Sequence, residues 1–406
     1  MASQTLHIHP RLRHIADGVR LEFDLVYSDH PRTATVFYEV AGDAAPSPPD
    51  SFDGILCATV LHAMEERRNL RLHGAATGAI VRNLSEFQLA WSRWRPGLYQ
   101  PVAIEVDSII SPAQRDGGSL AAFSGGVDST FTLLRNSPNT DTPQYAVDTA
   151  VLVHGFDVAL ANHDALQELV DRTVPVRDLA GARLCIVRTN SKELGLQRWE
   201  DSCGAQLAAC LHLFSAAFSH GLIGGSDAYD ELWLPWGTNP VTDHLLSGGA
   251  MAIVHDGAAF SRTDKVAFLA GVPAALRSLK VCWEGLHQGR NCGVCEKCVR
   301  TQLNLRAVGV SDAPCFDRWS DPRGIRHLPI TSDLALAELR SIIDYGERHH
   351  LEEDWFRALR KRVRQGVGRA GRTRTLRHSV RQSLARIHLL DAARLVRSKL
   401  APLAGG

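Results

Sequence analysis

Several things are missing from this 406-residue chain, and each absence narrows what it can be. It lacks a Gly-Lys-Ser/Thr phosphate loop, so it is not of the common kinase or GTPase type. Its first residues lack a basic stretch leading into an apolar one, which argues against a secretory signal. No apolar run suits a membrane span. The most apolar stretch, 205–225, is broken by Gln206, His212, Ser215, Ser219 and His220 and reads as a buried helix running into a strand. The eighteen histidines show no zinc-hydrolase spacing, and no internal repeat stands out. Nine cysteines without an export signal argue for metal binding or reduced thiols, not a disulfide framework. These absences predict a cytoplasmic protein with no membrane partner.

Composition is ordinary for a globular protein, 45% hydrophobic and 22% charged, and the length suits two or three domains. The net charge of +1 hides an asymmetry: residues 357–406 carry fourteen Lys/Arg and one acid, Asp391, leaving −12 on the rest. Only this tail is basic enough to suggest a polyanion partner.

The most informative stretch is Ser124-Gly125-Gly126-Val127-Asp128-Ser129. It follows the apolar run Leu120-Ala121-Ala122-Phe123 and precedes an expected helix beginning Thr130-Phe131. Strand, glycine turn and helix N-terminus in that order make an anion site. Glycines let the backbone bend close to a ligand, and free N–H groups and the helix dipole face negative charge. The competing reading is a tight turn with a capping serine.

Periodicity divides the chain into three. Residues 1–115 predict a small α+β domain, with strands at 19–27, 33–40 and 102–109 and helices at 52–72 and 85–94. Residues 111–118 read as a linker. Residues 116–310 alternate strands (119–123, 147–153, 183–189, 221–225) with helices (128–136, 161–172, 203–218, 264–270). That alternation predicts an α/β, doubly wound parallel sheet with ligands beyond the carboxyl ends of the strands. The hexad lies at the first such end, His154-Gly155 at the second, Thr189-Asn190 at the third and Gly224-Gly225 at the fourth. Residues 311–406 read as a basic helical region.

Cys282, Cys292, Cys295 and Cys298 form a C-x9-C-x2-C-x2-C set. Thiolates two residues apart can turn onto one ion, and four sulfurs suit Zn²⁺ in a closed structural site. An iron–sulfur cluster and unligated thiols are the alternatives. Cys203 and Cys210, seven apart on an expected helix, read as buried packing residues.

The hexad resembles the pyrophosphate loop of the ATP pyrophosphatase superfamily. Together with the cysteine set it is most similar to 7-cyano-7-deazaguanine synthase over residues 119–310. The resemblance implies ATP cleaved to AMP and pyrophosphate, with a carboxylate or amide oxygen adenylated for amide or nitrile formation. It implies that Ser124, Gly125, Gly126, Asp128 and Ser129 cradle the pyrophosphate, with Asp128 acting through Mg²⁺. It further implies that Lys265, with Arg262 beside it, faces the phosphates. His154 and Gly155, at the second strand end, are candidate nucleotide contacts by their place in the sheet. A solvated helix start is the plainer reading of Arg262 and Lys265. The cysteines match that family's zinc ligands. The family's Pro-Gly-Arg-Asn loop is not visible; Arg198-Trp199-Glu200-Asp201-Ser202 stands in its place, which implies an altered acceptor of nucleobase or other carboxylate type. Trp199 and Asp201 are candidates to stack on and hydrogen-bond a planar base, with a helix cap as the plainer role for Asp201.

Two other readings remain open on sequence. One is an RNA sulfur transferase using Cys203 and Cys210; the other is a nucleotide-binding scaffold in a multiprotein system such as a defence complex. Arginines of the tail, among them Arg360, Arg369, Arg372 and Arg374, suit nucleic acid or docking on an acidic body, with no interleaved aromatics for base stacking. A homodimer is a further expectation. Glutamine-fed asparagine-synthetase chemistry is disfavoured, because the chain opens Met1-Ala2-Ser3 without a cysteine nucleophile.

Overall fold

Val19, Leu21, Phe23, Leu25 and Tyr27 are all buried on one side of a strand, as their alternation requires. In the computed structural model, which describes residues 4–15, 18–41, 47–112, 117–282, 289–330 and 332–366, this strand lies within a ten-stranded mixed sheet. The strands are β1 (Thr5–Ile15), β2 (Gly18–Tyr27), β3 (Thr33–Ala41), β4 (Asn69–Thr77), β5 (Ile104–Ile110), β6 (Gly118–Ala122), β7 (Val147–His154), β8 (Arg183–Thr189), β9 (Phe218–Gly224) and β10 (Ala252–Asp256). Their order is β10-β9-β6-β7-β8-β3-β2-β1-β4-β5. Parallel pairing predominates; β1, β2, β3 and β8 are joined by the antiparallel pairs. Strands from 1–115 and from 116–310 thus share one sheet, and Met1–Trp319 make one compact unit.

The helices of this unit are α1 (Asp53–Glu66), α2 (Gly78–Trp94), α3 (Val127–Arg135), α4 (His163–Ala180), α5 (Trp199–His212), α6 (Arg262–Ala270), α7 (Pro273–Ser278) and α8 (Glu296–Ala307). On β6, Leu120 and Ala122 join one apolar cluster while Ala121 and Phe123 join another. Central strands buried on both faces read as continuous apolar runs, as this one does. On β1 and β2 only one face is apolar. The other carries His7, His9, Arg11, Arg13, Arg20 and Asp24, with Arg11 paired to Asp24.

The helix expected over 52–72 stops at Glu66, and β4 follows at once. Arg67 makes the stop in the left-handed conformation, φ 55°, without the glycine that normally signals it. Strands β1 and β10 were not expected: Pro10 interrupts the first, and the second is only five residues long. The stretch 205–225 is a buried helix, turn and strand, as read.

His62 on α1 is buried, its Nδ1–H donating to the Leu196 carbonyl (3.1 Å) and its Nε2 accepting from the Tyr27 hydroxyl (2.6 Å). Burial lowers its pKa from 6.5 to about 4. The folded state therefore resists a proton that the unfolded chain accepts. Stability is full above pH 6.5 and falls as pH drops toward 4, by about 3 kcal/mol in all. Urea unfolding across that window should show this loss, and a His62→Gln variant should show much less of it.

The second unit, Ser320–Gly406, contains α9 (Asp333–Arg348), capped by the Ser332 hydroxyl, and α10 (Asp354–Arg364). Arg362 is buried and donates to the carbonyls of Leu328 and Gly366. The expected arginine contacts at 369–377 and the closing amphipathic helix through Leu384, Ile387, Leu390 and Leu395 lie outside the described residues. No helix among the described residues is long and apolar enough to cross a membrane.

Candidate active site and metal centre

A cavity of about 180 Å³ opens where β6, β7 and β9 end, between the hexad and the cysteine segment. Its walls are Phe123, Val153, Phe156, Leu169, Trp199 and Ile223; its polar rim includes Ser124, Asp128, Ser129, Arg262, Lys280 and Lys297. Phe156 and Trp199 meet edge to face, 4.8 Å between ring centroids, and the Lys192 ammonium sits 4.2 Å above the Trp199 ring. An apolar, aromatic pocket with a cationic rim suits a planar group carrying negative charge.

The hexad turns sharply between β6 and α3. Gly125 has φ 73°, a left-handed conformation that favours glycine, and Gly126 caps the helix. The Ser124 hydroxyl accepts from Gly126 N–H (3.4 Å), and the Ser129 hydroxyl accepts from Ser124 N–H (3.2 Å) and donates to the Gly126 carbonyl (3.3 Å). These side chains shape the loop around the helix N-terminus.

Asp128 is the electrostatic centre. Its Oδ2 accepts from Arg262 Nη1 at 2.8 Å, and its Oδ1 lies 3.8 Å from Lys265 Nζ. Oδ1 is buried without a hydrogen bond. Lys265 is wholly buried, donates to the Gly225 carbonyl (2.7 Å), and has its pKa lowered by burial, with Asp128 opposing the shift. Arg262 and Lys265 begin α6, where Ser261 and Asp264 form a capping box that fixes the first turn. The expected pair of cations therefore reaches the hexad, Arg262 on the cavity wall and Lys265 behind it.

His154 and Gly155 are not among the cavity-lining residues. The His154 Nε2 pairs with the Ala159 carbonyl (2.9 Å), and burial lowers the pKa of the ring. Gly155 has φ 113°, and a Cβ there would stand 1.9 Å from the Thr189 carbonyl oxygen. Both residues shape the turn after β7. Gly155→Ala should cost at least ~3 kcal/mol by combining strain and overpacking. An unchanged melting temperature would refute this account of the turn.

Asp201 is neither base contact nor cap. It is buried, accepting from the Tyr99 hydroxyl at 2.9 Å, with Arg95 at 2.8 Å and Arg198 at 3.6 Å; α5 begins after Arg198. Its carboxylate is used up in holding α5 against the end of α2. Asn190 is likewise structural, linking to Thr35 and Phe37 on β3. Asp243, in the polar loop after β9, accepts from Thr238, Asn239 N–H and His255. Cys203 and Cys210 are buried, with burial raising both thiol pKa values, Cys203 to about 12. Neither lines the cavity.

The four cysteines converge. Cys282 Sγ lies 3.6 Å from Cys292 Sγ and 3.6 Å from Cys295 Sγ; Cys292 Sγ lies 3.9 Å from Cys298 Sγ; all four sulfurs fall within 4.8 Å of one another. A Zn–S bond of about 2.3 Å implies a tetrahedral edge of about 3.8 Å, so the set fits a closed zinc shell. The N–H groups of Cys295 and Cys298 donate to the sulfurs of Cys292 and Cys295. Asn291, fully buried, orients the first ligand: its Oδ1 accepts from Val281 and Cys282 N–H, and its Nδ2 donates to the Leu279 and Cys315 carbonyls.

Lys280 and Lys297 escaped the sequence reading. The signal was present: Lys297 lies inside the cysteine motif and Lys280 two residues before it, in a chain body that is otherwise net acidic. No protein-family model, curated protein or solved structure matches this chain.

Proposed function

We propose that the chain is an ATP-dependent carbon–nitrogen ligase that adenylates a carboxylate or amide oxygen and releases pyrophosphate, resembling 7-cyano-7-deazaguanine synthase with an altered acceptor. The single observation behind this reading is Asp128 set between Arg262 and Lys265 at the start of α3, on the rim of an aromatic cavity. The two apolar clusters flanking β6 support a doubly wound sheet of the adenine nucleotide α-hydrolase type.

In this reading Ser124, Ser129 and the free N–H groups of the α3 N-terminus hold the leaving phosphates. Arg262 and Lys265 stabilise negative charge as it develops there. Asp128, with one oxygen free of hydrogen bonds, would hold Mg²⁺, which supplies charge neutralisation when bound. Phe156 and Trp199 would contact a planar ring. The four-thiolate centre has no open ligand position and would hold structure, not activate water. The buried thiols of Cys203 and Cys210, away from the cavity, weigh against sulfur transfer.

The test is pyrophosphate release with a panel of carboxylate acceptors and ammonia, beginning with 7-carboxy-7-deazaguanine. The reading predicts acceptor-dependent formation of AMP. ATP bound but uncleaved with every acceptor would favour a nucleotide-binding scaffold instead.

A further inference from the structure

Two sites separated in sequence by more than 150 residues share a wall. Lys280, Val281, Cys282 and Lys297 line the cavity, and Cys282 is also a member of the cysteine set. The shared wall is bonded to the anion loop at one point: Lys280 N–H donates to the Gly125 carbonyl at 2.8 Å. Gly125 is the left-handed residue on which the loop turns. The same lysine sends its ammonium group to the Cys282 carbonyl, two residues along. It is buried, and it faces a cavity that Asp157 also lines. On the far side, Asn291 fixes the N–H groups of Val281 and Cys282, and Asn291 adjoins Cys292. A short covalent path, Lys280-Val281-Cys282, therefore connects the sulfur cluster to the pivot of the loop.

We infer that Lys280 is a further phosphate-facing cation and that it couples the four-cysteine centre to nucleotide binding. Its ammonium group rests on a neutral carbonyl, a partner that an anionic phosphate in the cavity outcompetes. Its backbone keeps the Gly125 turn in register with the metal ligand. A metal holding Cys282 in place then holds both the loop and the cation. Coupling between binding sites is reciprocal, so metal must favour nucleotide and nucleotide must favour metal by the same factor. This inference rests on the reading of the cavity as an ATP site.

The experiment uses the full-length, zinc-loaded protein and Mg²⁺–α,β-methylene-ATP, which cannot be cleaved at the relevant bond. Calorimetry should show binding to the wild type, weakened roughly tenfold in Lys280→Met with zinc content unchanged. Zinc release to a chromogenic chelator should be slowed by the analogue in the wild type and slowed less in Lys280→Met, which keeps the backbone bond to Gly125 but loses the cation. The release measurement on the wild type needs no variant, so the coupling is tested even if Lys280→Met folds poorly. Equal analogue affinity in wild type and Lys280→Met, or zinc release indifferent to the analogue, would overturn the inference alone, provided Arg262→Met weakens binding. A wild type that never binds the analogue would overturn the ATP-site reading and this inference together.

Discussion

Asp128→Asn is expected to reduce ATP-dependent pyrophosphate release by about 10²–10³-fold while nucleotide binding survives. The geometry sets that division. The carboxylate lies between two cations, one oxygen on Arg262 and the other 3.8 Å from a buried Lys265. Its replacement by a neutral amide leaves both cations in place and removes their shared negative neighbour. Phosphates then meet a more positive site, so affinity for the magnesium-free nucleotide should hold or rise. What is lost is the only carboxylate of the hexad and, on the proposed reading, its hold on Mg²⁺. Arg262→Met should divide the other way, weakening binding as well as turnover. Equilibrium binding and pyrophosphate release measured on both variants distinguish the two patterns. Undiminished turnover in Asp128→Asn would remove the carboxylate from the chemistry.

Loss of a metal held by the four cysteines should have the largest effect on stability. Cys282, Cys295 and Cys298 are buried in an apolar cluster with Leu279, Val281, Leu305, Ala313 and Phe316. Cys295 also caps α8, its sulfur accepting from Cys298 N–H. Structural zinc contributes about 10–16 kcal/mol to small zinc domains at neutral pH, and even a fraction of that is a large share of a domain's stability. A chelator, or Cys295→Ser, should therefore lower the melting temperature by roughly 10 °C or more. Elemental analysis should find zinc at one ion per chain. Visible charge-transfer absorbance and iron would instead identify a cluster on the same thiolates.

The features legible in sequence were those in which chemistry is local. The hexad and the C-x2-C-x2-C run each fit within a few residues, and in both the backbone conformation follows from the glycines and the helix that comes after. Arg262 and Lys265 were singled out through the family resemblance at an expected helix start, and the structure begins α6 there, with Ser261 and Asp264 as its capping box. Asp201 misled because its neighbours in sequence, Trp199 and Glu200, suggested a binding loop. Arg95, which pairs with it, and Tyr99, whose hydroxyl donates to it, come from the end of α2 and the turn after it, a hundred residues earlier. The end of α1 was hidden because an arginine, not a glycine, adopts the left-handed conformation there. Lys280 was overlooked since its role depends on a backbone bond to Gly125, which no periodicity encodes.

The junction of β3 with β8 carries a consequence for the first hundred residues. It is short, pairing Tyr38 with Thr189, Glu39 with Arg188 and Val40 with Val187, and extended by Asn190. Without it, β8 would present bare N–H and C=O groups along the flank of a parallel sheet, a template for unwanted pairing with other chains. The N-terminal strands act as a seal. They end the parallel array with antiparallel neighbours whose free face is charged and water-compatible, so that the half carrying the cavity presents no bare β8 flank.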